Sequence, residues 1–364
     1  MRVLIVKMSS MGDIIHTLPA LTDARRLRPD LRFDWVVEEA FTEIPGWHPA
    51  VDRVIPVAIR RWRGSLMTVW RNGEFRAFRR SLRTERYDLV IDAQGLIKSG
   101  IVSRISRGLT VGLSNSTIRE PLATLFYNRR ISVPRDMHAV ERVRELFARA
   151  LNYNHDRRLL DYGLRLPPGT TPWPEQDPGR PVLVFFHGTT WHNKHWPEAM
   201  WKALLHLSTE KGFRVLLPWG SSAERDRVGR LAAGDAHASV LPRMSLTELA
   251  RTLERASGVV AVDTGLAHLA AALDVPAVVL YGPTDPALAG THGRHQHHLC
   301  SSLECAPCLK RRCHYQGDPL SLTLDGQAVQ VQPPCFSTHP PAAVLDRLLT
   351  AIRGAGRTVP DSAS

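Results

Sequence analysis

The sequence predicts an α/β protein made of two parallel-sheet halves, and three observations lead to that prediction. Short apolar segments of the kind found in buried parallel strands alternate with longer segments whose apolar residues have helical spacing. This alternation is interrupted once, by a segment dense in Pro and Gly, and then starts again. The chain has 364 residues, more than one ordinary hydrophobic core accommodates, so two domains are expected.

The first half opens with a strand. The segment RVLIVK at 2–7 is short, rich in β-branched residues and continuously apolar, as a strand buried on both faces requires. It is followed by the loop SSMGD and by IIHTLPALTDARRL at 14–27, whose apolar spacing predicts one helix. The same criteria predict strands at FDWVVEE (33–39), VDRVIPV (51–57) and YDLVIDAQG (87–95), and helices at 73–83 and 138–150.

A connector and a second half follow. The run LPPGTTPWPEQDPGRP at 166–181 lacks apolar periodicity and predicts a linker between domain 1–165 and domain 182–352. Strands of the second domain are predicted at PVLVFFHG (181–188), FRVLLPWG (213–220), GVVAVD (258–263) and PAVVLYG (276–282). Helices are predicted at 197–211, 245–256, 265–273 and 342–352. Regular structure is expected to fade over 283–341, which contains a Cys-rich loop at 294–335, and 353–364 is expected to be a flexible tail.

The balance of charge predicts an anionic partner. Lys and Arg number 47 against 35 Asp and Glu, which gives a formal net charge of +12. Nucleic acid, an acidic membrane surface and a phosphorylated substrate all fit such a surplus. Basic residues cluster at 53–86, interleaved with Trp62, Trp70, Phe75 and Phe78. No helix-turn-helix, RRM or KH signature accompanies them, so a nucleic-acid partner is not expected.

Targeting signals are also not expected. No apolar run approaches the ~18 residues of a membrane-spanning helix. The first apolar stretch, at 3–6, is too short for the core of a signal peptide. A cytoplasmic protein is therefore predicted.

The five cysteines fall late in the chain, at 300, 305, 308, 313 and 335. An odd, clustered set without a secretion signal argues against a disulfide framework. Cys305 and Cys308 have metal-ligand spacing, and Cys313, His314 or Cys335 could complete four ligands of a structural site. Reduced thiols in a long loop are the alternative.

Ligands of open α/β sheets bind beyond the carboxyl ends of the strands, so two such halves facing each other would enclose a binding cleft. Asp13 follows the first strand after the Gly12 turn and directly precedes an apolar helix. Two interpretations are open: a helix N-cap, or a carboxylate that takes a proton from a substrate hydroxyl. His16, one turn later, is expected to pack or to form hydrogen bonds.

The second half has candidate residues at the corresponding edge. Asp263 ends a predicted strand, Thr264 and Gly265 form the turn, and His268 lies on the first turn of the next helix. A helix N-terminus with a small Gly is a natural phosphate site, and an ordinary turn capped by Thr264 is the alternative. Lys194, in the loop HGTTWHNKHWP, can neutralise a diphosphate as a point charge. Neither GxGxxG nor GxxxxGK[ST] follows a leading strand, which argues against dinucleotide oxidoreductases and Walker-type NTPases.

Several long motifs resemble those of the lipopolysaccharide heptosyltransferases. They are RVLIVKMSSMGDIIHTLPALTDARR, FDWVVEEAF, VIPVAIRRWR, YDLVIDAQGLIKS, REPLATLFYNR, HAVERVRELFA, HGTTWHNKHWP and VDTGLAHLAAAL, and the resemblance covers most of residues 1–290. It implies a GT-B fold, in which two Rossmann-like domains face each other, the acceptor binding the N-terminal one and the sugar nucleotide the C-terminal one. It also implies an inverting, metal-independent transferase that requires no cofactor and uses ADP-L-glycero-β-D-manno-heptose. The likeness is greatest to members that add the first heptose to the Kdo region of Kdo2-lipid A.

The resemblance carries roles onto matching positions. The aspartate of the SSMGD loop, the proposed base of the family, is Asp13, and Lys194 would stabilise the leaving diphosphate. The implied donor-binding residues are Thr189, Thr190, Lys194, Glu224, Met244, Asp263, Thr264, Gly265 and His268. The basic residues implied to meet acceptor phosphates are Arg60, Arg61, Arg63 and Arg119.

The identity of the acceptor stays open at this level. The stretch ECAPCLKRRCHYQG departs from the first-heptose members and is more like the tail of members that add the second heptose, so those, or another ADP-sugar transferase, are the alternatives. A basic anion-binding protein without catalysis is the alternative from another class. A phosphorylated lipid acceptor such as Kdo-lipid A implies peripheral attachment to the anionic cytoplasmic face of the inner membrane.

Overall fold

The computed structural model describes residues 1–64, 66–169, 179–324 and 326–360. The chain divides into two compact units, Met1–Pro167 and Pro168–Ser364. This division falls inside the predicted connector 166–181, most of which, like the end of the predicted tail, lies outside the described residues.

The first unit contains one parallel sheet of six strands in the order β3-β2-β1-β4-β5-β6. The strands are β1 (Arg2–Val6), β2 (Arg32–Glu38), β3 (Val51–Val57), β4 (Leu89–Asp92), β5 (Leu109–Leu113) and β6 (Arg129–Ile131). The helices are α1 (Met11–Ile15), α2 (Leu18–Leu27), α3 (Glu43–Gly46), α4 (Ile59–Trp62), α5 (Leu66–Arg71), α6 (Glu74–Leu82), α7 (Ile97–Ile105) and α8 (Ala139–Leu151). Short 3-10 helices cover Glu39–Phe41 and Pro121–Phe126.

The predicted strands of this unit are confirmed, but the single helix predicted at 14–27 is wrong. Two helices, α1 and α2, occupy this stretch. Pro19 lies in the first turn of α2. The N–H groups of a first turn have no acceptor within the helix, so a proline, which lacks an N–H, fits there and starts a new helix. The helix α7 and the strands β5 and β6 were not predicted from the sequence.

The second unit repeats the architecture with a parallel sheet in the order β12-β11-β10-β7-β8-β9. The strands are β7 (Val182–Phe186), β8 (Arg214–Leu217), β9 (Ala238–Val240), β10 (Gly258–Val262), β11 (Ala277–Tyr281), β12 (Gln296–Cys300) and the antiparallel pair β13 (Ser321–Leu324) and β14 (Gln327–Gln330). The helices are α9 (Glu198–Glu210), α10 (Ser222–Ala232), α11 (Leu246–Glu254), α12 (Gly265–Ala272), α13 (Pro286–Ala289) and α14 (Pro341–Gly354). Two 3-10 helices cover His192–Lys194 and Pro334–Thr338.

The prediction that regular structure fades over 283–341 is wrong in part. β12 adds the sixth strand to the sheet beside β11, and β13 and β14 form a hairpin. Because β12 is an edge strand with partly exposed side chains, it lacks the continuous apolar character that identified the buried strands. The predicted helix at 342–352 is confirmed as α14.

The order of strands decides where ligands can bind. Counted within each unit, both sheets run 3-2-1-4-5-6, the order of doubly wound nucleotide-binding folds. The connections reverse direction between β1 and β4 in the first unit and between β7 and β10 in the second, which is the crevice where such sheets hold ligands. The central strands around these points are fully buried, so the loops that follow them stand on rigid supports.

No helix in the described ranges combines the length and the apolar character that crossing a bilayer requires.

Candidate active site

The loop after β1 presents Asp13 at the switch point of the first sheet. Asp13 is the third residue of α1, and its Oδ2 accepts hydrogen bonds from Ser10 N at 2.9 Å and Ser10 Oγ at 2.7 Å. The N-cap interpretation of Asp13 is therefore wrong. Ser10 is the N-cap residue, and Asp13, the third residue of the helix, forms the other half of a capping box with it. The side chain of Asp13 is 43% exposed, and its Oδ1 lies 3.6 Å from Lys7 Nζ.

The charge state of Asp13 follows from these neighbours. Burial of the carboxyl group acts against ionisation, but the positive charge of Lys7 and the hydrogen bonds from Ser10 act more strongly and lower the pKa of Asp13 to about 2. Lys7 is itself held in place, since its Nζ donates to the carbonyl oxygen of Ala93 at 2.9 Å. Asp13 is thus an ionised, partly exposed carboxylate at every ordinary pH.

The loops after β1 and β4 are tied together by one side chain. Gln94 Oε1 accepts hydrogen bonds from Met8 N at 2.9 Å and Ser9 N at 3.0 Å. The buried Asp92 in turn accepts from Gln94 N and Gly95 N through one oxygen, at 2.9 and 3.0 Å. The segment that carries Asp13 is therefore anchored to the neighbouring strand.

His16 packs as the sequence predicted. The residue is 3% exposed, and its ring meets the ring of His138 edge to face, with 5.6 Å between the centroids.

The predicted acceptor arginines differ in what they are paired with. Arg61 is bound by two carboxylates, Glu39 at 3.2 Å and Glu74 at 2.8 Å, so its charge is already neutralised locally. Arg60, Arg63 and Arg119 are exposed. The guanidinium of Arg60 lies over the Phe41 ring at 5.2 Å.

Lys98 joins this basic group and was missed from the sequence. Burial and the nearby positive charges of Arg63 and Arg60 lower the pKa of Lys98. Lys98 could have been identified from its position in the first turn of α7, the helix that follows the buried strand β4.

The switch point of the second sheet holds a lysine–carboxylate pair. Lys194 Nζ donates to Asp263 Oδ2 at 2.6 Å, and the two side chains are 13% and 14% exposed. The ammonium group also lies 4.3 Å from the centre of the Trp191 ring. Thr284 Oγ1, from the loop after β11, donates to the same Asp263 oxygen at 2.7 Å. Thr284 was not predicted, although it follows a buried strand just as the predicted residues do.

Thr189 and Glu224 complete the framework of this edge. Thr189 Oγ1 donates to the carbonyl oxygen of Asp263 at 3.0 Å, which ties the loop after β7 to the end of β10. Glu224 forms a capping box at the start of α10, accepting from Gly220 N at 2.7 Å and Ser221 N at 3.1 Å. Its other carboxylate oxygen lies so close to Gly188 that a Cβ at that position would collide with it.

The turn into α12 offers backbone donors. Thr264 has the extended conformation of an N-cap, with φ −145° and ψ 159°, and Gly265 begins the helix. Of the two interpretations of this turn, the one in which the Thr264 side chain caps the helix is not supported, since no such hydrogen bond forms within the described part of the chain. The N–H groups of the first turn consequently stay available to a ligand. His268 is buried behind them.

The remaining donor candidates lie at the surface of the same region. Thr190 is exposed, and Met244 is half-buried in the loop between β9 and α11. Among the described residues, neither side chain forms a hydrogen bond that would indicate a role.

The histidines of this edge carry little positive charge. Burial lowers the pKa of His187 to about 4, and Arg227 acts in the same direction. Burial also lowers the pKa of His195, whose Nδ1 is 2.9 Å from a guanidinium nitrogen of Arg227. The two histidines therefore add little positive charge to this edge at neutral pH.

The cysteines are all free thiols. Burial raises the pKa of the Cys335 thiol to about 12, with smaller contributions from Cys313, Cys305 and Cys308, which lie near it. Across the described ranges, no three Cys, His, Asp or Glu side chains are arranged to hold a metal ion. The structural metal site suggested for Cys305, Cys308, Cys313 and Cys335 and its alternative, reduced thiols, both stay predictions.

Comparison with known proteins identifies the group to which this architecture belongs. The family described as glycosyltransferase family 9 (heptosyltransferase) matches residues 75–317. Lipopolysaccharide heptosyltransferase 1 of Pseudomonas aeruginosa is 54% identical over 349 residues, which cover 96% of this chain and 97% of that protein. The protein of the same name from Escherichia coli K12 is 53% identical over 303 residues, which cover 81% of this chain and 92% of that protein.

Solved structures agree. The structure of E. coli heptosyltransferase WaaC with ADP has a TM-score of 0.76 and 50% identity, and the match covers 82% of this chain and 92% of that one. A second WaaC structure, with ADP-2-deoxy-2-fluoro heptose, has a TM-score of 0.75 and 49% identity, over 83% and 93% of the two chains. The predicted α/β fold of GT-B type is confirmed by these similarities. The chain belongs to glycosyltransferase family 9, the heptosyltransferases.

Proposed function

We propose that this heptosyltransferase moves L-glycero-D-manno-heptose from ADP-heptose to the Kdo region of Kdo2-lipid A, with inversion at the anomeric carbon and without a metal ion. The observation that carries the proposal is the Lys194–Asp263 pair beside the N-terminus of α12. The relatives named lipopolysaccharide heptosyltransferase 1 and the WaaC structures with ADP and an ADP-heptose analogue support this choice of reaction and donor.

The second unit binds the donor in this proposal. The diphosphate lies against Lys194 and the backbone N–H groups of the first turn of α12, both of which favour negative charge. As the bond between the anomeric carbon and the phosphate oxygen breaks, charge grows on the β-phosphate of ADP. Positive groups that are already fixed in place stabilise that charge without reorganising. Asp263, held by Thr284, positions Lys194 and transfers no proton.

The first unit activates the acceptor. An acceptor hydroxyl oxygen attacks the anomeric carbon from the side opposite to ADP, which inverts its configuration, and Asp13 takes the hydroxyl proton. A carboxylate with a pKa of about 2 is a weak base, so the proton moves late, when the new carbon–oxygen bond has already made the hydroxyl acidic. Arg60, Arg63 and Arg119, together with Lys98, are the groups proposed to meet the acceptor phosphates. Arg61, on the same short helix as Arg60, ties α4 to Glu39 and to Glu74 of α6.

The location of the protein follows from its acceptor. A lipid acceptor requires that a cytoplasmic protein work at the cytoplasmic face of the inner membrane, and a net charge of +12 favours an anionic surface. We therefore propose peripheral attachment without insertion.

The decisive experiment is an assay of ADP release from purified ADP-heptose, with Kdo2-lipid A and heptosyl-Kdo2-lipid A offered in parallel reactions. We expect turnover with the first acceptor only. Preference for the second acceptor would assign the second heptose transfer instead, and no ADP release with either would favour an anion-binding protein without catalysis. A parallel series with EDTA should retain full turnover, and activity that is lost and then restored by Mg²⁺ would contradict the metal-free scheme. The configuration of the new linkage, read by NMR, tests inversion.

A further inference from the structure

Two adjoining elements of the first unit expose an apolar face. On α7, Ile97 and Ile101 are exposed, and their spacing of four residues places them on one side of the helix. On the 3-10 helix Pro121–Phe126, Leu122 and Leu125 are 63% and 73% exposed, and a spacing of three aligns them on one side. Isolated exposed leucines are ordinary, but four large aliphatic side chains on neighbouring elements are not.

These two elements are packed closely against each other. The 3-10 helix contacts α7, and a Cβ on Gly100 would clash with the ring of Phe126. Backbone contact of this kind fixes the exposed side chains relative to one another. Ile97 N also donates to Glu120 Oε2 at 2.8 Å, which joins the start of α7 to the residue before the 3-10 helix.

A second apolar element precedes α6. Met67 and Trp70 on α5 are 74% and 66% exposed, whereas Val69 between them is buried. The Trp70 ring carries the guanidinium of Arg76 at 5.4 Å. An exposed tryptophan with a cation on its face is typical of side chains at the boundary between water and lipid.

Positive charge lies between and around these apolar groups. The segment 60–80 contains seven arginines and one carboxylate, Glu74, which already pairs with Arg61. Lys98 on α7 is close enough to Arg60 and Arg63 for their charges to act on it. The basic cluster therefore reaches Lys98 on α7 and includes arginines of α5 and α6.

We propose that α7, the 3-10 helix Pro121–Phe126 and the segment 66–80 form one surface that docks on an anionic phospholipid bilayer. Exposed aliphatic and tryptophan side chains enter the headgroup region, and arginines pair with lipid phosphates. This inference rests on the proposed function, because a lipid acceptor must be reached from the bilayer. Charge complementarity favours lipid over a second copy of the chain, since two such surfaces would bring their arginines together.

Vesicle sedimentation without any acceptor or donor tests the surface independently of catalysis. The probe is vesicles of phosphatidylethanolamine and phosphatidylglycerol in a three-to-one ratio, with phosphatidylcholine vesicles for comparison. We expect the wild-type protein to bind the anionic vesicles and to be released by salt. The variants Met67→Ser/Trp70→Ser and Leu122→Ser/Leu125→Ser should each bind roughly tenfold more weakly, and Arg79→Gln/Arg80→Gln should lose about fivefold for each arginine.

Matched controls are available on the same unit. Leu27, at the end of α2, and Arg32, at the start of β2, are exposed residues on elements that do not belong to the proposed surface. The variants Leu27→Ser and Arg32→Gln should bind vesicles like the wild type. All these substitutions are at exposed positions, and circular dichroism with thermal melting checks that each variant is folded.

Each outcome decides the matter. Equal vesicle binding by the surface variants and the controls would overturn the proposal. It would also be overturned if the surface variants changed the oligomeric state, measured by sedimentation velocity, and left vesicle binding unchanged. ADP release with a soluble, deacylated acceptor should be unchanged in the apolar variants and lowered only when the acceptor is embedded in vesicles. If the wild-type protein releases no ADP with the soluble acceptor, the proposed transfer reaction is contradicted, but the proposed surface is not.

Discussion

The two units hold a lysine and an aspartate at the same place in the same sheet topology, but in opposite arrangements. In the first unit the lysine is the hidden partner: Lys7 is 7% exposed, Asp13 is 43% exposed, and 3.6 Å separates their charged atoms. In the second unit Lys194 and Asp263 are almost equally covered and are in contact at 2.6 Å.

This difference indicates which member of each pair does the chemistry. Lys7 keeps Asp13 ionised and leaves it accessible, so the exposed carboxylate is the group that meets substrate. Asp263 accepts hydrogen bonds from Lys194 and Thr284, so it fixes the position of the Lys194 ammonium group near the N-terminus of α12. A charge taken out of water needs a partner. In the first unit the buried Lys7 is paired with an exposed carboxylate, whereas in the second unit Lys194 and Asp263 are both largely buried and neutralise each other.

Replacement of Asp13 should have the largest effect. In Asp13→Asn the proton acceptor is lost while the shape of the side chain is kept, so kcat should fall by ~10²–10⁴-fold. The KM for ADP-heptose should change little, because the donor belongs to the second unit in this scheme. Steady-state ADP release measures both quantities.

The control for this variant is Asp52→Asn. Asp52 is 35% exposed, similar to Asp13, but pairs only distantly with Arg32 at 3.7 Å near the opposite edge of the sheet. It should retain normal turnover. Near-normal turnover of Asp13→Asn would remove Asp13 from the role of base.

Replacement of Lys194 should have the next largest effect and should differ in kind. Loss of one preorganised positive group at a leaving diphosphate costs ~10²–10³-fold in rate, and Lys194→Ala should in addition weaken ADP binding. Isothermal titration with ADP and ADP-release kinetics separate the two effects. Lys202→Ala, an exposed lysine on α9, is the matched control. If kcat/KM for ADP-heptose barely changed in Lys194→Ala, the assignment of the leaving-group role would fail.

The sequence was informative about the loops that follow the central buried strands. The strands β1, β4, β7 and β10 are continuous apolar runs, and the rule that ligands bind beyond their carboxyl ends located the loops of Asp13, Lys194 and Asp263. Edge strands such as β12 were missed because their half-exposed side chains give neither an apolar run nor a strict alternation. The prediction of a single helix at 14–27 is wrong because Pro19 starts a second helix there.

The contacts within the site could not be obtained from sequence alone. Which residue caps α1 depends on whether Ser10 or Asp13 turns toward the backbone, and both residue types suit the role. The neutralisation of Arg61 depends on Glu39 and Glu74, which are distant from each other in sequence and brought together by β2, α4 and α6. Thr284 lies in a loop that had no recognisable motif, so only the fold brings its hydroxyl to Asp263.

Thr284 offers a finer test of the second unit. Thr284→Val removes one of the two donors to Asp263 Oδ2 and keeps the volume of the side chain. A hydrogen bond to a charged group contributes about 1.5–3 kcal/mol, and its loss would lower kcat/KM for ADP-heptose by at most roughly 12- to 150-fold. Thr284→Ser should restore most of the loss, and Thr350→Val, on the exposed side of α14, should have no effect. Equal activity of the Val and Ser variants would show that Lys194 alone positions Asp263.

Lys7 offers the finest test of the first unit, because its replacement should alter a pH profile more than a rate. Asp13 must be ionised to act, and with a pKa of about 2 in the wild type its protonation does not limit kcat at any ordinary pH. In Lys7→Gln the attraction that lowers this pKa is lost while burial of the carboxyl group remains, so the pKa rises. The acid limb of kcat should therefore move upward, toward the region between about pH 4 and 6, with kcat at neutral pH within a few fold of the wild type. Lys7→Arg keeps the positive charge and should keep the wild-type profile, and coincident acid limbs for Lys7→Gln and the wild type would show that Lys7 does not control the ionisation of Asp13.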